Sequence, residues 1–388
     1  MRFLGLGRTR SLAHAGRLHR LGQALVNHGH TVSLAGACRW EAALGLSLPW
    51  VEHPEPEEAG GADETDRFAA ALSQDLALLQ DWAPDRIFVD HRRSALVAAA
   101  ILGIPALSIT GAASLGPGCL LTPTASEWAS LVAPTLGLDP VFAMGLAGLR
   151  GLDSPMPLHS APLPPALAAV IEAAGGEAPQ LVADLSLGDE TVVADAPALF
   201  PLHPEAPVVS GGALLPAVRG AAPAGFVQAP GPRVILSTGS TGDRATLPLL
   251  LQALSTCAVA LSGAAPPGWE HPRLWPAPLL DLTALLPHAD LLICHGGAMT
   301  VQAALAAGVP TLAIPDNADA ALCAVALIQS GAGTAFSPGD LRADPALAGR
   351  ALRWLLDDPR FRQRAQSLAP AMDPAGALRL AVERALGL

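Results

Sequence analysis

The sequence predicts an α/β chain built as two doubly wound domains, and three observations carry that prediction. Short apolar runs, glycine turns and Ala/Leu-rich helical stretches alternate in both halves, the pattern of strand–helix–strand units with parallel strands. The alternation is interrupted by the Pro/Gly/Ala-rich segment "LPAVRGAAPAGFVQAPGP" at residues 215–232, the best linker candidate. At 388 residues, 51% of them hydrophobic, the chain has material for two cores. The expected division is residues 1–214, a linker over 215–232, and residues 233–388, whose last helix is expected to pack back on the first domain.

The elements follow in order. Residues 2–5 read as a strand, residues 12–27 as a helix stopped by Gly29, and residues 30–35 as a second strand. The acidic stretch "EHPEPEEAGGADETD" (52–66) has no apolar period and reads as an exposed loop. "DRIFVDHRRSALVAAAILGIPALSIT" (85–110) is again strand, helix and strand. Residues 94–126 carry no charge, but the glycines and prolines from Gly103 to Gly118 leave no unbroken run of ~20 apolar residues for a spanning helix. Residues 115–164 read as partly helical, and "ETVVADAP" (190–197) and "APVVSGG" (206–212) as two more strands. A fresh alternation starts at "RVILSTGSTG" (233–242) and runs to about residue 337. The tail, 345–388, reads as helices broken at Pro359, Pro370 and Pro374.

The most informative turn lies in "ICHGGAMTVQAALAAGVPTLAIP" (293–315). A buried strand ends at Cys294, a helix begins near Met299, Gly308 caps it and Pro310 blocks it before the next strand. His295-Gly296-Gly297 is therefore the first turn of a βαβ unit, at the carboxyl end of a strand, where open α/β sheets bind ligands. Free amides and the helix dipole there suit a phosphate; an ordinary tight turn needing glycine is the plainer alternative.

Composition narrows the function. The net charge of −11 argues against nucleic acid as a partner. Lysine and tyrosine are absent and all 23 basic residues are arginine, a bias that reads as that of a GC-rich genome rather than as function. The five cysteines are scattered without CxxC spacing, which points to a reducing compartment and no zinc site. The N-terminus lacks an apolar export segment, so the expected location is cytoplasmic.

These motifs together resemble GT-B fold family 1 glycosyltransferases, including bacterial natural-product enzymes. "HGG", Thr300, "AALAAGVPTLAIP", Asp319 and "SGAG" (330–333) look like the donor-site signature of that family. "NHGHTV" (27–32), "STGSTG" (237–242) and "ALLPHADLLICHGG" (284–297) match its other landmarks in the right order. The family's two histidines stand sixteen apart, and counting back from His30 gives His14.

The resemblance implies an inverting, metal-independent transfer of sugar from a nucleoside diphosphate to a hydroxyl of an apolar small molecule. It implies no bound cofactor. An acceptor hydroxyl needs a base as it attacks, and a histidine suits that task. His14 is the expected base and Asp90, ending "RIFVD", the carboxylate that orients it; Asp85 is the rival, although it precedes the strand. His19, His28 and His91 are expected at the surface. His295, Gly296, Gly297, Thr300 and Ser240 are expected around the leaving diphosphate, and Asp319 at the sugar. Asp316 and Asp319 read as solvated rather than as metal ligands. "GLGRTR" (5–10) is a weak dinucleotide motif. Its Arg8 and Arg10 read as solvated, with contact to an anionic acceptor or phosphate as the alternative.

Several positions depart from the family pattern. Ala320 follows Asp319 where a glutamine is usual, Ala303 stands where a glutamate contacts ribose, Met299 replaces a small residue, and Asp281 replaces a proline. Trp275 is the candidate to stack on the base. These departures fit either a deoxysugar donor or a non-catalytic protein of the same fold. Hydrogen-bond reach between His14 and Asp90 discriminates between catalysis and its loss.

Overall fold

The computed structural model describes residues 1–8, 11–36, 40–45, 47–53, 64–115, 119–120, 162–239 and 244–388. Seven parallel strands form the first sheet: β1 (Arg2–Gly7), β2 (Thr31–Gly36), β3 (Trp50–Glu52), β4 (Arg86–Asp90), β5 (Ala106–Thr110), β6 (Glu190–Val193) and β7 (Val209–Ser210), in the order β3-β2-β1-β4-β5-β6-β7. Six more form the second: β8 (Arg233–Ser237), β9 (Ala258–Ser262), β10 (Leu274–Ala277), β11 (Leu291–Cys294), β12 (Thr311–Ala313) and β13 (Gly333–Ala335), in the order β10-β9-β8-β11-β12-β13. In each sheet the order reverses beside the first strand, which opens a crevice at the carboxyl edge between β1 and β4 and between β8 and β11.

The helices that matter for the site follow directly on those strands. Helix α1 (Leu12–Asn27) follows β1 and α2 (Arg93–Leu102) follows β4. In the second half α3 (Ala298–Ala306) follows β11 and α4 (Ala318–Ser330) follows β12. Leu18, Leu21 and Leu25 recur at helical spacing on α1 and are fully buried with Phe3, Leu34 and Phe88 of the sheet, so the apolar stripe sets how α1 lies. Gly7 lets that helix come close. A Cβ on it would stand 2.4 Å from Leu18 Cδ1 and 3.0 Å from the Asp90 carbonyl oxygen.

The tail departs from its sequence reading at one proline. Pro370 lies inside helix α5 (Pro359–Met372), near its end, whereas Pro359 and Pro374 open helices. The last helix, α6 (Pro374–Leu386), returns to the first sheet, where Ala377, Ala381, Val382 and Ala385 join the core of Leu18, Phe88 and Ile109. Residues 215–232 include a short helix, Ala224–Gln228; Arg219 N–H donates to the Ala43 carbonyl of the first half and Ala221 N–H to the Leu279 carbonyl of the second, so the segment is tied to both. No described helix is long and apolar enough to cross a membrane.

Candidate active site

The carboxyl edges of the two sheets meet, and a buried polar contact joins them. Gln302 on α3 donates from Nε2 to Asp195 Oδ1 (2.6 Å) and accepts the Ala196 N–H at Oε1 (2.6 Å). The other Asp195 oxygen accepts the Ala112 N–H at 2.7 Å. Asp195 follows β6, Ala112 follows β5, and Gln302 stands one helical turn and a half past the His-Gly-Gly turn. Burial raises the Asp195 carboxyl above its ordinary value, although the Ala112 amide, the Arg17 charge and Gln302 pull the other way. The sequence reading had not singled out Asp195 or Gln302.

On the first sheet, β1 and β4 are paired with Gly7 opposite Asp90, so both strands end level. Asp90 is wholly buried there. His14, in the first turn of α1, points Nδ1 at Asp90 Oδ1 over 2.7 Å. Arg17, three residues on and on the same helix face, grips the carboxylate with both arms of its fork: Nε to Oδ2 at 2.7 Å and Nη2 to Oδ1 at 2.9 Å. Its Nη2 also lies 2.8 Å from His14 Nδ1. Burial works to raise the Asp90 carboxyl, but the charges of Arg17 and His14 and the His14 hydrogen bond outweigh it and hold the group below the usual carboxylate range. Asp85 is engaged elsewhere, accepting the Arg2 N–H at the other end of the strand.

His91 is half-buried rather than fully at the surface. Its positive φ of 57° turns the ring inward, 4.5 Å from the His14 ring between centroids. Burial, and then the neighbouring His14, push its imidazole well below its ordinary value. His19 is half-buried as well, lowered by burial and by Arg219, while His28 is exposed.

On the second sheet, β11 ends at Cys294 and the turn that follows reverses the chain into α3. Gly296 carries the positive φ, 86°, and Gly297 is the helix N-cap with φ −61°. The His295 ring is enclosed by glycines from two turns. A Cβ on Gly239, just past β8, would stand 2.4 Å from its Cε1, and one on Gly297 would stand 2.6 Å from its Nε2. Its Nδ1 is buried and has no hydrogen-bond partner among the described residues. Burial lowers the imidazole's ordinary value and Asp316 opposes that. The first amides of α3 have no intrahelical carbonyl to meet, and Thr300 is half-buried beside them.

Asp319 is exposed in the first turn of α4, capped by Asn317, and Ala320 is buried with its carbonyl against Gly296. Trp275, half-buried, packs edge-on against Phe226 and beside Gly225. Ser240 lies outside the described residues, as do Arg10, the acidic loop over 54–63 and most of the segment 115–164.

Comparison with known proteins bears on this arrangement directly. Residues 274–376 match the family model described as erythromycin biosynthesis protein CIII-like, C-terminal domain. A "PGL/p-HBAD biosynthesis glycosyltransferase" of Mycobacterium tuberculosis is 29% identical, over 96% of this chain and 89% of that protein. A "PGL/p-HBAD biosynthesis rhamnosyltransferase" of Mycobacterium bovis is 27% identical, over 95% and 84%. The solved structure of the glycosyltransferase VinC in complex with dTDP shares the fold, with a TM-score of 0.67, 22% identity, and 99% of this chain and 100% of that one covered. Over nearly its whole length the chain is similar to family 1 glycosyltransferases of natural-product type.

Its fold is GT-B, and its activity is sugar transfer. In this glycosyltransferase the His295 turn falls inside the stretch matched by the family model, and His14 and Asp90 lie on the opposite half.

Proposed function

We propose that the enzyme moves a sugar from a nucleoside-diphosphate donor to a hydroxyl of an apolar small molecule, with inversion and without a metal ion. The observation that carries this reading is the 2.7 Å contact between His14 Nδ1 and a buried, ionised Asp90. With Nδ1–H donating to the carboxylate, Nε2 keeps its lone pair. That atom takes the acceptor proton as the acceptor oxygen attacks the anomeric carbon. The new C–O bond forms on the face opposite the leaving group, and the old C–O bond breaks with its electron pair going to the diphosphate. Asp90 then stabilises the imidazolium.

The leaving diphosphate meets His295, the free amides of α3 and the Thr300 hydroxyl, which supply hydrogen bonds and a helix dipole where charge develops. Such a set does not require a metal ion. His14, Asp90 and His91 bring ligand-type atoms within 4.8 Å of one another, but Arg17 occupies both oxygens of Asp90 and its charge opposes a cation there. Asp319 contacts the sugar in this reading. Ala320, packed on Gly296, offers it no hydrogen-bonding side chain, which favours a donor with few hydroxyls, a deoxysugar.

The test is transfer itself. The enzyme is incubated with dTDP- and UDP-linked sugars, deoxysugars included, and a panel of apolar alcohols and phenols, with and without a chelator. The reading expects a glycoside of inverted anomeric configuration by proton coupling, at the same rate with chelator. Retained configuration, dependence on a metal, or no transfer from any donor contradicts it.

A further inference from the structure

We propose that Arg17 is a positioning residue for the transfer: by holding both oxygens of Asp90 it fixes the His14 imidazole as the Nδ1–H tautomer, with Nε2 bare. This rests on the reading of His14 as the base.

Three atoms meet at one point. His14 Nδ1, Asp90 Oδ1 and Arg17 Nη2 are mutually 2.7, 2.9 and 2.8 Å apart. A guanidinium offers donors and no acceptor, so Nη2 donates. An ionised Oδ1 is always an acceptor, and it serves Nη2 and Nδ1 together. Nδ1 alone has a choice. Protonated, it donates to Oδ1. Bare, it accepts from Nη2 but sets its lone pair against the carboxylate oxygen at hydrogen-bond distance, and the proton then sits on Nε2, where no base can act.

Arg17 decides this choice through Asp90. The carboxylate is buried completely, and burial alone favours its neutral form. A neutral Asp90 would carry a proton able to donate to Nδ1, which is the inactive tautomer. The guanidinium, itself only 4% exposed, keeps the carboxylate ionised and fixes its rotation through two bonds, Nε to Oδ2 and Nη2 to Oδ1. His14 and Arg17 stand at i and i+3 on α1, so the base and its clamp are carried by one rigid element.

The test reads the tautomer directly. The full-length chain is labelled with 15N-histidine, and long-range proton–nitrogen spectra are recorded at neutral pH for the parent, Arg17→Gln and Arg17→Lys, with His14→Gln assigning the signal. The parent should show Nδ1 protonated and Nε2 bare. Arg17→Gln should shift the population toward Nε2–H and lower kcat by about tenfold or more with the donor KM unchanged, in the range of a mispositioned general base. Arg17→Lys, which keeps the charge, should restore the parent tautomer. A parent with the proton on Nε2 overturns the proposal even if no variant folds, and so does a folded Arg17→Gln protein with the parent's signal. Turnover that survives in His14→Gln defeats instead the reading of His14 as base.

Discussion

Gly297→Ala isolates the contribution of His295 to donor binding. The backbone there tolerates a side chain, since φ is −61° and ψ 130°. The new Cβ, however, would stand 2.6 Å from His295 Nε2 and 2.8 Å from Cε1. Ordinary carbon contacts need about 3.5–4.0 Å, so the ring must retreat by roughly 1 Å. On its other side the ring already fills the space that a Cβ on Gly239 would take, Cε1 lying 2.4 Å from that point, so it sits close over the Gly239 backbone with little room to retreat. A ring driven from its slot loses a charge-assisted hydrogen bond to the diphosphate, worth about 1.5–3 kcal/mol. That corresponds to roughly a ten- to hundredfold rise in Kd. Calorimetry of dTDP and UDP against the full-length protein measures it, with thermal unfolding as the check on the fold. An unchanged Kd in a stably folded Gly297→Ala protein refutes the role given to His295.

Further predictions concern the rest of the site. Gln302→Leu leaves the Ala196 N–H and the Asp195 carboxylate buried without their partner, and should cost about 2–4 kcal/mol in denaturant unfolding; an unchanged midpoint means the two halves are not held there. Asp90→Asn should slow turnover in the same sense as loss of the base, because the imidazole loses its orienting charge; parental kcat argues against the pair. The same variant reports on pH. The folded protein holds the Asp90 carboxyl below its unfolded value, so its stabilising effect is present above about pH 4 and fades as pH falls. Parent and Asp90→Asn should therefore converge in stability on acidification, and a gap that widens contradicts the assignment. Ala320→Gln, next to Asp319, should favour donors richer in hydroxyls if Ala320 sets donor choice, as competition between paired sugar nucleotides would reveal.

The fold was legible because its signals are local. Apolar runs ending in glycine turns mark strands wherever they lie, and helix α1 spans the residues that its periodicity indicates. The His-Gly-Gly turn was legible for the same reason, although the glycine that needs a positive φ is Gly296 and not Gly297. What stayed hidden depends on partners remote in sequence. Arg17 is one arginine of an amphipathic helix, and nothing near it in sequence points to Asp90, 73 positions away. Gln302 in an Ala-rich helix gives no sign of Asp195, 107 positions away. His91, followed by two arginines, reads as part of a charged turn; a single left-handed backbone angle puts its ring beside His14. Pro370 reads as a break, yet it sits close enough to the helix end that little of the ladder is lost.

The central claim is that His14 is the base of sugar transfer in this enzyme. Its most direct test is steady-state turnover of parent and His14→Ala with a donor and acceptor found by the screen above, alongside the Kd of the nucleoside diphosphate for both proteins. The account predicts turnover lower by about 10²–10⁴ in His14→Ala, the usual range for a general base, with that Kd nearly unchanged. Turnover within about twofold of the parent, far below the loss expected of a general base, contradicts it.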